Sequence, residues 1–131
     1  MASAQISAEF FVLVGLGLLI AIAFEIASLD QLKEFRLQKE NEAVKDITLK
    51  LQRELLIATS VEDGYVRIFT VPSKLDTFDY SITTQNSTLI VQSKNGFYVT
   101  IIPIIVGNIT KGTNVINKTG GVIYVNSVNA T

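Results

Sequence analysis

The stretch FFVLVGLGLLIAIAF, Phe10–Phe24, carries no charge, no strongly polar group and no proline. After Glu25 the apolar run continues as IASL to Leu29. Leu and Ala recur through it, so a helix is the expected form. Gly15 and Gly17 each cost roughly 1 kcal/mol relative to Ala in that helix, and they let another backbone approach closely. A helix of about 20 residues is about 30 Å long, which matches the hydrocarbon thickness of a bilayer.

Such a helix is hydrophobic on every face and must be covered on every face. Four readings compete. A secretory signal peptide needs a basic start and a small-x-small cleavage site. No Lys or Arg precedes Phe10, and cleavage after Ala27 places Glu25 three positions before the cut. A permanent single-pass anchor has Lys33, Arg36 and Lys39 on one flank and no basic residue on the other. The positive-inside tendency would then put the rest of the chain in the cytoplasm. Glu25 within the span also makes that anchor expensive. A buried core helix of a soluble domain needs more surrounding chain than the C-terminal half supplies. The fourth reading surrounds the helix with copies of itself in a filament. The missing basic residues then belong to a leader that has been removed.

From Asp30 the character changes. Residues 30–63 hold six Lys/Arg and eight Asp/Glu, and residues 30–60 contain neither Pro nor Gly. Val44, Ile47, Leu51, Leu55 and Ala58 follow a helical spacing and draw one apolar stripe. Arg36–Glu40 and Asp46–Lys50 are opposite charges at i, i+4, read as pairs on a solvated face. One helix is therefore expected from about Phe10 to Ser60, with Gly64 as its first clear stop. Its lower half is expected to pack on the C-terminal body through the stripe, and its upper half on neighbouring chains.

After Gly64 the period becomes that of strands. YVRIFTV (Tyr65–Val71) alternates and ends at Pro72; Phe78–Thr84 and Thr88–Gln92 follow. Asn95-Gly96 ahead of FYVTII is a strong hairpin signal, and Thr119-Gly120-Gly121 between Asn114–Asn117 and Val122–Val125 is a second. The fold class that results is α+β. A long N-terminal hydrophobic helix (1–63, of which 1–29 is the apolar part) precedes a small antiparallel β-sheet or β-sandwich head (64–131).

Four Asn-x-Ser/Thr motifs fall in that head, at Asn86, Asn108, Asn117 and Asn129. With eight Asn, and about one residue in six Ser or Thr, chance gives one or two such motifs. They mark candidate N-glycosylation on an extracellular surface. Other chemistry is thinly supplied. The 131 residues include no His, no Cys and no Trp, which removes disulfides, most metal sites and the commonest general base. Neither a cofactor nor a metal is expected. A net charge of −1 offers nothing to nucleic acid. Asp76 and Asp79, the nearest approach to a carboxylate pair, lie in a turn-like stretch and read as turn residues. No enzyme is expected.

QISAEFFVLVGLGLLIAIAF (Gln5–Phe24) resembles the class III signal region of archaeal type IV pilins, in which a Gln-x-Ser-x-Glu-Phe segment opens an apolar helix. Gln5, Ser7, Glu9 and Phe10 carry the match, and the Asn- and Thr-rich C-terminal half ending in GVIYVN is more loosely similar. The resemblance implies a structural subunit of an extracellular pilus-like filament. It implies cutting by a prepilin peptidase, residence in the membrane before assembly, handling by pilus assembly machinery, and a helical homopolymer with a role in surface adhesion. Its assembly surface would comprise Met1, Gln5, Glu9, Phe10, Phe11, Gly15, Gly17 and Glu25. Family members place a Glu at the fifth mature position, facing the N-terminal ammonium of a neighbour. Glu9 holds that place if the mature chain starts at Gln5; Gln5 holds it if the start is Met1. A single-pass surface binding module and an archaellin-type motility subunit stay open as alternatives.

Overall fold

Residues 2–127 are described in this computed structural model, with side chains from Ser7 onward. The apolar run and the charged run form one helix, α1 (Ala2–Ser60), with no interruption at Ser28–Asp30. The chain divides into two compact units, one ending at Leu37 and one beginning at Gln38. The helix ends at Ser60, three residues before the boundary expected at 63/64. The compact boundary falls earlier because residues 38–60 of α1 are the helical layer of the head.

Seven strands complete the head. They are β1 (Val66–Val71), β2 (Tyr80–Gln85), β3 (Thr88–Ser93), β4 (Phe97–Ile101), β5 (Ile105–Gly107), β6 (Gly112–Thr119) and β7 (Val122–Val125). They make a four-stranded sheet in the order β1-β6-β7-β5 and a three-stranded sheet in the order β2-β3-β4. Both expected hairpins form. In the first, β3 pairs antiparallel with β4 across the Asn95-Gly96 turn; in the second, β6 pairs with β7 across Gly120-Gly121.

The expectation of a purely antiparallel head is corrected at β5, which runs parallel to β7 with Ile105 opposite Ile123. Hairpin cues report neighbours in sequence, and a three-residue strand is too short to show alternation. Gly107 makes this pairing possible. Its φ is +103°, and a Cβ there would sit 1.9 Å from the Val125 carbonyl oxygen.

The core lies between the helix stripe and the sheets. Val44, Ile47, Leu51, Leu55 and Ala58 are all buried, and they meet Phe69 and Val71 of β1, Leu89 and Val91 of β3, Ile116 of β6, and Ile123 and Val125 of β7. Period-2 alternation supplies the sheet side of this core, and the 3-4-4-3 spacing supplies the helix side. Burial of this kind stabilises by roughly 25 cal/mol per Å² of apolar surface.

The C-terminus of α1 is closed by Lys118. Its Nζ donates to the carbonyls of Thr59 (3.0 Å) and Val61 (2.7 Å), so a cation meets the negative end of the helix. Asn114 ties the loop before β6. Fully buried, it accepts from Thr110 N and from Asn126 Nδ2, and it donates to the carbonyls of Thr110 and Gly112.

Candidate assembly surface

Around α1 above Leu37, large apolar side chains are exposed in every direction. Phe11 is 70% exposed, Leu19 66% and Phe24 75%, and Val12, Leu13, Ile20 and Ile26 are exposed with them. An 18-residue window of this helix has mean hydropathy 2.6 and none of it is buried. It is long and apolar enough to cross a membrane. Phe10 and Phe11 meet edge to face at 6.2 Å.

Isolated apolar residues on a surface are ordinary, but a contiguous apolar sleeve marks an interaction surface. Gly15 and Gly17 lie open within it: apart from their own turns of helix backbone, no described atom stands within 4 Å of where a Cβ would be. They leave room for a neighbouring backbone. Glu9 and Glu25 are exposed, and neither has an ion-pair partner among the described residues. Gln5 belongs to α1, its side chain lying outside the described residues, as does the whole of Met1.

Below the sleeve, the charge pattern departs from the expected solvated pairs. Arg36 does not pair with Glu40, and Asp46 does not pair with Lys50, among the described residues. Glu40 turns inward instead and is 2% exposed. Its Oε2 accepts from Asn95 Nδ2 at 2.8 Å in the β3–β4 turn. The Ser93 hydroxyl beside it, and then the Asn95 amide, hold its carboxyl below the usual value, against the opposing pull of burial. Glu40 stands four residues before Val44, on the line of the apolar stripe. That spacing was the available signal for its burial.

The exposed charges of the head pair across elements. Lys39 reaches Asp76 at 2.7 Å, Lys111 reaches Asp79 at 2.8 Å, and Arg67 grips Glu54 with two nitrogens. Asp76 lies in the turn closed by the Leu75–Phe78 bridge and takes a left-handed backbone, while Asp79, held below its ordinary value by Lys111 and by the Tyr80 amide, stands after that turn, immediately before β2.

Three of the four sequons are described. Asn86 is exposed in the two-residue turn between β2 and β3, with φ +54°. Asn108 is exposed after β5 and accepts from Thr84 Oγ1 at 3.0 Å. Asn117 is half-buried in the middle of the four-stranded sheet, between Val66 and Tyr124. Asn129 lies outside the described residues.

The head carries shallow concavities of about 450 Å³ beside Asp79 and Lys94 and about 470 Å³ beside Asn41 and Phe97. No cluster of acidic residues among the described residues is arranged to hold a metal ion. No protein family, curated protein or solved structure matches this chain.

Proposed function

We propose that the chain is a structural subunit of an extracellular type IV pilus-like filament. The observation that carries this reading is the pairing of two unlike parts. The head closes its own core through residues 44–58 of α1, while the large apolar side chains of the sleeve are exposed among the described residues. Around a filament axis, neighbouring copies of that sleeve bury one another by a repeated contact that does not close into a ring. The hydrophobic contribution grows with the area removed from water, at about 25 cal/mol per Å². The heads face outward and present the sequons. Surface adhesion is the role most in keeping with this arrangement, and no catalytic step is part of it. Before assembly the same segment resides in the bilayer, where a prepilin peptidase and the assembly machinery act on the subunit.

The test is electron microscopy of the sheared cell-surface fraction, with mass spectrometry of the same sample. Thin filaments whose main protein is this chain are expected, and the N-terminal peptide then fixes the mature start at Met1 or Gln5. A chain found only in detergent-extracted membrane, with no filament, would overturn the reading. That result favours a second reading as a membrane-anchored surface binding module, with which the length and apolarity of α1 are compatible.

A further inference from the structure

The outer face of the four-stranded sheet is apolar and open. Val66 is 60% exposed and Ile68 67%, and Val115 and Val122 are exposed beside them. Strand register puts Ile68 opposite Val115, Val66 opposite Asn117, and Asn117 opposite Tyr124. The third sequon, Asn117-Lys118-Thr119, therefore stands in the middle of this face. A concavity of about 420 Å³ opens beside it, lined by Val66, Val115, Asn117, Asn126 and Ser127. Its lining is apolar on one side and amide and hydroxyl on the other. Thr119 Oγ1 donates to Asn117 Oδ1 at 3.4 Å, and Asn117 Nδ2, the nitrogen an N-linked sugar would take, donates to no acceptor among the described residues.

We propose that Asn117 carries an N-linked oligosaccharide whose first sugars lie in this concavity and cover the Val66–Ile68–Val115 face. The inference rests on the extracellular part of the function proposed above. A pyranose has an apolar C–H face that matches Val66 and Val115, and its hydroxyls can donate to Ser127 Oγ, whose own proton goes to Val106 O, while the amide hydrogens of Asn126 are spent on Asn108 and Asn114. A dry protein contact would instead bury the Asn117 carboxamide without a partner for its nitrogen, which is unfavourable. The other described sequons differ. Asn86 is at a turn tip and Asn108 follows a strand end, where a glycan extends into water.

In the transfer step, a bond forms between Asn117 Nδ2 and the anomeric carbon of a lipid-phosphate-linked oligosaccharide. The bond from that carbon to the phosphate oxygen breaks, the lipid phosphate leaves, and one amide proton passes to the transferase. Because Asn117 lies in a paired strand, transfer acts on the chain before β6 closes.

The full chain is made in two hosts, one that N-glycosylates exported proteins and one that does not. Glycopeptide mass spectrometry reads occupancy, and thermal unfolding of the head reads packing. Occupied Asn117 is expected to raise Tm by about 4 °C between hosts, the size of a 1 kcal/mol effect on a domain of this length. Hydroxyl-radical labelling of the Val66–Ile68 peptide is expected to fall with occupancy. Thr119→Ser keeps both effects. Thr119→Ala, which removes the acceptor motif and keeps Asn86 and Asn108, loses that ~4 °C share and leaves between hosts only what glycans on those two sites contribute; comparing each variant with itself cancels any direct effect of the substitution on folding. An unmodified Asn117 in a protein glycosylated at Asn86 or Asn108 overturns the proposal, as does an occupied Asn117 with no change in labelling. Failure of the filament reading is separate: the glycan on Asn117 is still readable on chain extracted from membrane.

Discussion

Two leucines of the same helix are expected to fail in opposite ways. Leu55 is fully buried in the head, and Leu55→Ala removes packing that costs about 2–5 kcal/mol. For a domain the size of the head, 1 kcal/mol moves Tm by roughly 4–8 °C, so a fall of at least about 8 °C is expected. Leu19 is 66% exposed in the single chain. Leu19→Ala deletes three carbons, about 2.4 kcal/mol of transfer free energy at 0.8 kcal/mol per carbon. About two thirds of that, ~1.6 kcal/mol, becomes available only when a neighbour covers the exposed surface. The threshold concentration for polymerisation should then rise about tenfold, with the Tm of the head unchanged. The assays are circular-dichroism melting of the detergent-held subunit and sedimentation of polymer across a concentration series after detergent removal. The reasoning is refuted if Leu19→Ala lowers the head Tm as Leu55→Ala does, or if it leaves the polymerisation threshold where it was.

Glu40 gives the head a pH dependence. Its folded-state pKa lies below the ordinary 4.5, so its stabilisation is fully present above about pH 4.5 and is lost as pH falls through the depressed value. Glu40→Gln should melt lower at neutral pH and flatten the Tm profile between about pH 5 and pH 3; an unchanged profile would remove Glu40 as the cause. Gly107→Ala forces a left-handed backbone on alanine and drives its Cβ against the Val125 carbonyl, for a loss of about 3 kcal/mol. Hydrogen exchange should then accelerate at β5 and β7 and stay slow in β3. Lys118→Met removes both bonds to the end of α1 and should lower stability by about 1–2 kcal/mol, read by urea unfolding with an unchanged m-value.

The helix was legible because its signals are local and repeated. Fifteen apolar residues without a break, and then a stripe at 3-4-4-3 spacing, survive any tertiary arrangement. The two hairpins were legible because Asn95-Gly96 and Gly120-Gly121 set left-handed or tight turns by their own chemistry. What escaped the sequence depends on contacts between distant residues. The partner of β5 lies beyond all of β6, and no local pattern carries that information. Glu40 was read as half of a surface pair because its partners, Ser93 and Asn95, sit on a hairpin far along the chain. Nothing local to Lys118 signals its role, which needs the end of a helix 58 residues earlier, at Ser60. The sleeve was the reverse case: its apolar character is written in consecutive residues and needs no long-range pairing to be recognised.

The two carboxylates on that sleeve bear on which surroundings suit it. Glu9 and Glu25 are 16 positions apart, which is about 24 Å along a helix. A hydrocarbon layer about 30 Å thick cannot place both at its two surfaces, and tilt would only shorten their separation along the normal, but snorkelling and local thinning bring each within reach of water. The bilayer is thus a tolerable solvent for the segment and not an ideal one. A packed bundle of copies offers what lipid does not, because each carboxylate can face a donor on a neighbouring chain while the residues between them, Phe10–Phe24, stay in apolar contact. A dehydrated carboxylate without such a donor would be penalised by several kcal/mol. Under the filament reading, Glu25→Leu should therefore strengthen retention in lipid while weakening filaments, whereas a permanent anchor would gain from the same change. Comparing membrane extraction with filament yield for Glu25→Leu separates the two, and a variant that forms filaments as readily as the parent would show that Glu25 has no role between subunits.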